Sequence, residues 1–180
     1  MNISKARLKR LPKVELHCHL DGSIRVPTMI DLAQKDNIKL PSMDRNELKK
    51  MLVIGSNRGT LEDYLKRFDY TLSVMQTPES LTRTAFELIE DVSKENVKYI
   101  EIRYSPILHT ENGMTISESV EAVQDGLKRG EKEFGVQSGI IVCGIRNISP
   151  EVSLKLADIT VQYKNKGVVG FDLAGAEENY

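Results

Sequence analysis

Apolar and polar positions alternate with two different periods along this chain, and the period switches several times. Val14 to Leu20 reads as a short strand, bounded by Pro12 and by Asp21-Gly22. A helical pattern follows over Val26 to Asp36, with Ile30, Leu32 and Ala33 as apolar positions. Pro27 sits in its first turn, where a missing N–H costs little. Pro41-Ser42 breaks the chain, and Asp44 is placed to cap a short helix ending near Leu52. Gly55 to Gly59 reads as a loop. Thr60, followed by Asp63, then opens a segment with Leu61, Tyr64, Leu65, Phe68 and Leu72 at helical spacing. Thr77-Pro78-Glu79 starts a further helix, with Leu81, Ala85, Leu88, Ile89 and Val92 turned inward.

The second strand spans Val97 to Tyr104 and is ended by Ser105-Pro106. Tyr99, Glu101 and Arg103 fall on one face, and Ile100, Ile102 and Tyr104 on the other. His109 to Met114 reads as a loop. Ser117 to Phe134 is helical, with Val120, Val123, Leu127 and Phe134 on one stripe. The third strand, Val136 to Ile145, is nearly continuous in apolar residues, as expected when both faces are covered. Pro150 to Tyr163 is the last helix, with Val152, Leu156, Ile159 and Tyr163 on its stripe. Val168 to Leu173 is the fourth strand, followed by Ala174-Gly175.

Strands that alternate with helices predict a parallel sheet with right-handed crossovers. A doubly wound sheet and a (β/α) barrel both satisfy that pattern. The first strand-to-helix turn has no Gly-rich phosphate loop, so the dinucleotide-binding fold lacks its usual signature. The helices between the first and second strands form an insertion longer than a simple crossover.

Composition narrows the function classes. The chain has 180 residues, with 25 Lys plus Arg against 26 Asp plus Glu, a formal net charge of -1. At 40% apolar and 28% charged it is a globular rather than a disordered chain. Its balanced charge argues against nucleic-acid binding through a basic face. No run approaches the roughly 18 apolar residues of a membrane span. Met1 to Arg10 is basic but lacks the apolar core of a secretory signal. Cys18 and Cys143 match no zinc-knuckle or redox spacing, which suits a reducing cytosol. The expectation is a cytoplasmic protein with no nucleic-acid and no membrane partner.

The candidate chemistry lies in His17-Cys18-His19-Leu20-Asp21-Gly22-Ser23. Side chains at i, i+2 and i+4 of a strand share a face, so His17, His19 and Asp21 project together. Two imidazoles about 7 Å apart along a strand suit one divalent cation, and zinc is the usual choice for imidazole nitrogen. The run also sits at the carboxyl end of a strand, where parallel α/β folds place their sites. A metal-free, hydrogen-bonded pair of histidines is the alternative. Catalytic zinc usually takes three protein ligands. The remaining histidine, His109, reads as a surface residue of a loop rather than a third ligand.

Three motifs carry a family resemblance. The run Leu11-Pro12-Lys13-Val14-Glu15-Leu16-His17-Cys18-His19-Leu20-Asp21-Gly22-Ser23 resembles the opening strand of adenosine deaminases. Glu101-Ile102-Arg103-Tyr104-Ser105-Pro106 resembles the end of that family's second strand. Gly170-Phe171-Asp172-Leu173-Ala174-Gly175-Ala176-Glu177 resembles the end of its fourth. The resemblance implies an α/β fold, the first four βα units of a (β/α)8 TIM-type barrel with a helical insertion after the first strand. It implies a zinc-dependent hydrolytic deamination of adenosine and deoxyadenosine in purine salvage. His17 and His19 match two zinc ligands, His19 also lies close to the nucleoside, and Asp21 matches the carboxylate that contacts the ribose. Gly175 matches the glycine whose backbone N–H meets a purine ring nitrogen. Leu61, Tyr64, Leu65 and Phe68 resemble the helix that roofs the pocket. Related adenine deaminases carry Glu where Asp21 stands, so Asp21 favours a nucleoside over a free base.

The family's general acid, a glutamate near a third histidine ligand, has no counterpart in this sequence. The expectation is therefore that residues 1–180 are the N-terminal half of a longer barrel enzyme and are inactive alone. The other readings are an adenine or modified-adenosine deaminase, and a non-catalytic half-barrel that acts as an interaction module. Open sheet edges would let such a half self-associate.

Overall fold

The structure, a computed structural model, describes residues 3–52 and 67–175. A short helix, α1 (Lys5–Arg10), precedes the first strand. The hydrophobic pattern gives no hint of it, because none of its residues is buried. It forms on local terms: the Ser4 hydroxyl accepts from the Arg7 N–H at 3.3 Å.

The strands are β1 (Lys13–His19), β2 (Val97–Tyr104), β3 (Gln137–Ile145) and β4 (Val168–Ala174). Four described helices separate the first two strands: α2 (Val26–Lys35), α3 (Arg45–Leu52), α4 (Phe68–Ser73) and α5 (Pro78–Lys94). The Asp44 carboxylate caps α3, accepting from the Asn46 and Glu47 N–H groups at 2.9 Å each. Thr77 and Ser80 form a reciprocal capping box on α5. Crossovers α6 (Ile116–Phe134) and α7 (Pro150–Tyr163) follow β2 and β3. The predicted apolar stripes on α5, α6 and α7 lie on their buried or half-buried sides. Thr60, Leu61, Asp63, Tyr64 and Leu65 lie outside the described residues. No helix of the described residues is long and apolar enough to cross a membrane.

All strands are parallel, and their order in the sheet is β1-β2-β3-β4. A doubly wound sheet reverses its winding at a switch point. Here the strands follow chain order without reversal, which is an arc of a (β/α) barrel. Ile100, Ile102, Tyr104, Ile140 and Val142 are buried in the core shared with the helices. The opposite face carries His19, Arg103 and Asp172. Exposed apolar residues collect on the two edge strands: Val14 and Leu16 of β1 are 62% and 53% exposed, and Phe171 and Leu173 of β4 are 42% and 44%.

Helices α5 and α6 approach closely enough for side-chain-to-backbone bonding. The Thr82 hydroxyl donates to the Ala122 carbonyl at 2.9 Å. That approach depends on Gly126, where a Cβ would stand 2.2 Å from the Thr82 carbonyl oxygen. At Gly130 a Cβ would stand 2.7 Å from Ile89 Cβ.

Candidate active site

The site starts from an irregularity in β1. Lys13 to Glu15 pair with the first half of β2, and Cys18 and His19 pair with Ile102 and Arg103. The register shifts between Glu15 and Cys18, so Leu16 and His17 lie within a bulge. Bulges increase local twist and re-aim side chains. Here the His17 N–H is taken by the Glu15 carboxylate at 2.9 Å instead of by a strand. The His17 and His19 rings end with centroids 5.4 Å apart.

Strand β1 stops at His19, so Asp21 does not reach the histidines by simple alternation. A turn brings it back. The Ser23 hydroxyl donates to the His19 carbonyl, and the Ser23 N–H donates to the Leu20 carbonyl at 3.0 Å. Asp21 Oδ1 then lies 4.0 Å from His19 Nδ1 and accepts from the Gly22 N–H at 3.1 Å. Leu20 faces the core and is fully buried, as the alternation predicted. Phe68, at the start of α4, closes over this turn: its ring stands edge-on to His19 at 6.5 Å. A Cβ at Gly22 would meet the same ring at 3.5 Å.

Burial sets the electrostatics. Asp21 is 6% exposed, and its removal from water raises its pKa to about 6 against the partial opposition of two backbone N–H groups. Burial lowers the His19 pKa, with His17 and Arg103 adding to the shift. His19 is therefore held as a neutral imidazole, the form that ligates metals. Burial also raises the Cys18 thiol and pushes Cys143 up to about 12, so neither is an activated thiolate.

Two imidazoles on one strand end fit part of a zinc shell. Among the described residues no group of three His, Cys, Asp or Glu side chains converges on one point. Gly175 follows β4 with φ +105°, a left-handed conformation that favours glycine. A Cβ there would stand 3.4 Å from the Arg146 backbone nitrogen. The chain thus turns sharply out of β4, at the same sheet end as His19.

His109 differs from expectation. It is 0% exposed rather than a surface residue. Pro106–His109 form a 3-10 turn that drives the ring inward, against Tyr104 at 5.5 Å. The Met75 carbonyl lies 2.8 Å from Nδ1 and fixes the proton there. Burial pushes its pKa down to about 4. The unfolded chain takes up a proton near pH 6.5 that the folded chain refuses, so stability falls as pH drops from about 6.5 to 4. The total loss is about 3 kcal/mol. His109→Asn keeps a donor for Met75 and removes the titration. Urea unfolding across this pH range is expected to show a flatter pH dependence for the variant, and an unchanged slope would contradict this account of His109.

Sequence reasoning missed the role of Arg103 and Asp172. Arg103 Nη1 donates to Asp172 Oδ2 at 2.5 Å, across the intervening strand β3. Both residues lie in strand-end motifs, but no local pattern links one to the other.

Comparison with known proteins follows the same line. Residues 12–180 match the model of the family described as adenosine deaminase. An adenosine deaminase from Clostridium perfringens is 48% identical over 170 residues, which cover 94% of this chain and 51% of that protein. An adenine deaminase structure from Arthrobacter aurescens aligns with TM-score 0.80 and 26% identity over 92% of this chain and 49% of that one. The Arabidopsis N6-mAMP deaminase aligns with TM-score 0.78 and 27% identity over 95% and 52%. A Burkholderia amidohydrolase structure with bound Zn shares the fold at TM-score 0.83 and 23% identity, over 99% and 49%. The chain spans about half the length of the bacterial relatives it matches.

Proposed function

This chain belongs to the adenosine deaminase family, and from that premise we propose that it carries the N-terminal part of a zinc-dependent hydrolytic deaminase site. The proposed reaction converts adenosine and deoxyadenosine to the corresponding inosines and ammonia, in cytoplasmic purine salvage. The observation that carries the reading is the His17–His19 ring pair beside buried Asp21 at the carboxyl end of β1.

In this reading His17 and His19 hold the metal. Zinc, when bound, lowers the pKa of a water molecule towards neutrality and so makes hydroxide available at C6 of the purine. The chain's own residues bind and orient the nucleoside. Asp21 accepts a hydrogen bond from a ribose hydroxyl. The Gly175 N–H donates to a purine ring nitrogen, which the lack of a side chain lets the ring approach. Phe68 packs edge-on against His19 and covers the turn at Gly22. The acid that protonates the ring is a glutamate expected beyond this part of the barrel.

The domain reading is that residues 1–180 form the first four βα units of a (β/α)8 barrel. Two observations support it. The relatives are about twice as long. Among the described residues β1 and β4 each have an unpaired edge, and both carry exposed apolar side chains that further barrel elements would cover. In their absence the same edges are surfaces for self-association.

The size of the carboxylate at position 21 tests the substrate. With the barrel completed, Asp21→Glu is expected to lower kcat/KM for adenosine by about tenfold or more, as a lost charged hydrogen bond does. The ratio of adenine to adenosine rates should rise. Ammonia release from adenosine, adenine and N6-methyl-AMP reads this directly. A wild-type protein that prefers adenine or the methylated nucleotide would overturn the adenosine assignment.

A further inference from the structure

We infer that Arg103 and Asp172 are positioning residues that set the aim of the His17–His19 pair. The inference rests on the reading of those histidines as metal ligands. Arg103 Nη1 donates to Asp172 Oδ2 at 2.5 Å, and Nη2 donates to the Leu16 carbonyl at 3.2 Å. Leu16 belongs to the bulge in β1, where the ladder to β2 is interrupted. The guanidinium therefore holds a carbonyl that regular strand pairing leaves out, one residue before His17. Arg103 is also the register partner of His19.

Asp172 anchors the other end. Its Oδ1 accepts from the Leu173 N–H at 2.8 Å, which fixes the carboxylate and presents Oδ2 to Arg103. The Arg103 side chain is 11% exposed and that of Asp172 38%, so the guanidinium is held at the buried end of the pair. One planar fork thus joins β1, β2 and β4. The three sequence motifs meet at it: the histidine run through Leu16, the second motif through Arg103, and the third through Asp172. Lysine cannot replace this fork, because a single ammonium lacks the fixed pair of donors.

The test uses the 180-residue chain and its three histidines. Zinc chloride is added stepwise at one fixed pH, and the imidazole 15N resonances are followed. In the wild type, His17 and His19 are expected to shift together while His109 stays in place. Arg103→Met and Arg103→Lys are each expected to weaken the zinc response of both rings by about tenfold or more, the usual effect of losing a group that orients a metal ligand. Asp172→Asn, nearly isosteric, is expected to weaken it in the same direction. His109, buried away from the pair, reports in every variant that the fold is retained. Should an arginine variant lose the native His109 resonance, Asp172→Asn decides the question. Zinc responses equal to wild type in natively folded variants would overturn the inference and leave the metal reading standing. No response of either ring in the wild type, both alone and with the barrel completed, would overturn the metal reading, and this inference with it.

Discussion

Gly126→Ala is expected to melt about 6 °C below the wild type. Helix propensity alone predicts the opposite, because alanine is better than glycine inside a helix by about 1 kcal/mol. Packing reverses the sign. A Cβ at 126 would lie 2.2 Å from the Thr82 carbonyl oxygen and 2.9 Å from Ala85 Cβ. The first neighbour is backbone of α5, so helices must separate for the methyl group to fit. Overpacking costs about 1–3 kcal/mol, and a backbone obstacle puts Gly126 at the upper end. Separation would also stretch the Thr82–Ala122 hydrogen bond. Gly130→Ala should cost less, since its obstacle is the Ile89 side chain rather than backbone. Thermal unfolding followed by circular dichroism gives the answer, and a Gly126→Ala protein that melts at or above wild type would refute the close-packing account.

The second large effect is catalytic. In a completed barrel, His17→Ala is expected to reduce adenosine deamination by more than about a hundredfold, since even groups that only orient metal ligands are worth about ten- to a hundredfold. The melting temperature should change little, because His17 is exposed and lies outside the buried core. Zinc content measured on the same sample should fall in step with activity. Full zinc content with lost activity would point to a role for His17 other than holding the metal.

Much of the fold was legible because it rests on periodicity. The boundaries of β2 and α7 coincide with the predicted ones, since Ser105-Pro106 and Pro150 act through the backbone itself. Periodicity alone could not choose between a doubly wound sheet and a barrel, because both have the same alternation of elements; the family resemblance pointed to the barrel. Strand order decides it, and strand order is a property of tertiary packing. Within the site, the pairing of His17 with His19 was visible from residue spacing, but its cause was not. Regular alternation was the expected geometry, and a bulge with a returning turn at Ser23 is the observed one. His109 shows the opposite limit. Loop composition suggested exposure, but a proline-led 3-10 turn buried it under the Met75 carbonyl. Arg103 and Asp172 are far apart in the chain, and nothing in their local patterns reveals that one guanidinium connects them.

The central claim is that this chain holds half of a deaminase site and needs the other half to act. It is tested by grafting. The first half of the Clostridium perfringens relative, which matches this chain over 170 residues, is replaced by residues 1–180, and ammonia release from adenosine is compared for the graft and for the 180-residue chain alone. The account predicts chelator-sensitive deamination by the graft and none by the chain alone. Deamination by the isolated chain, or a folded, zinc-loaded graft without activity, would contradict it.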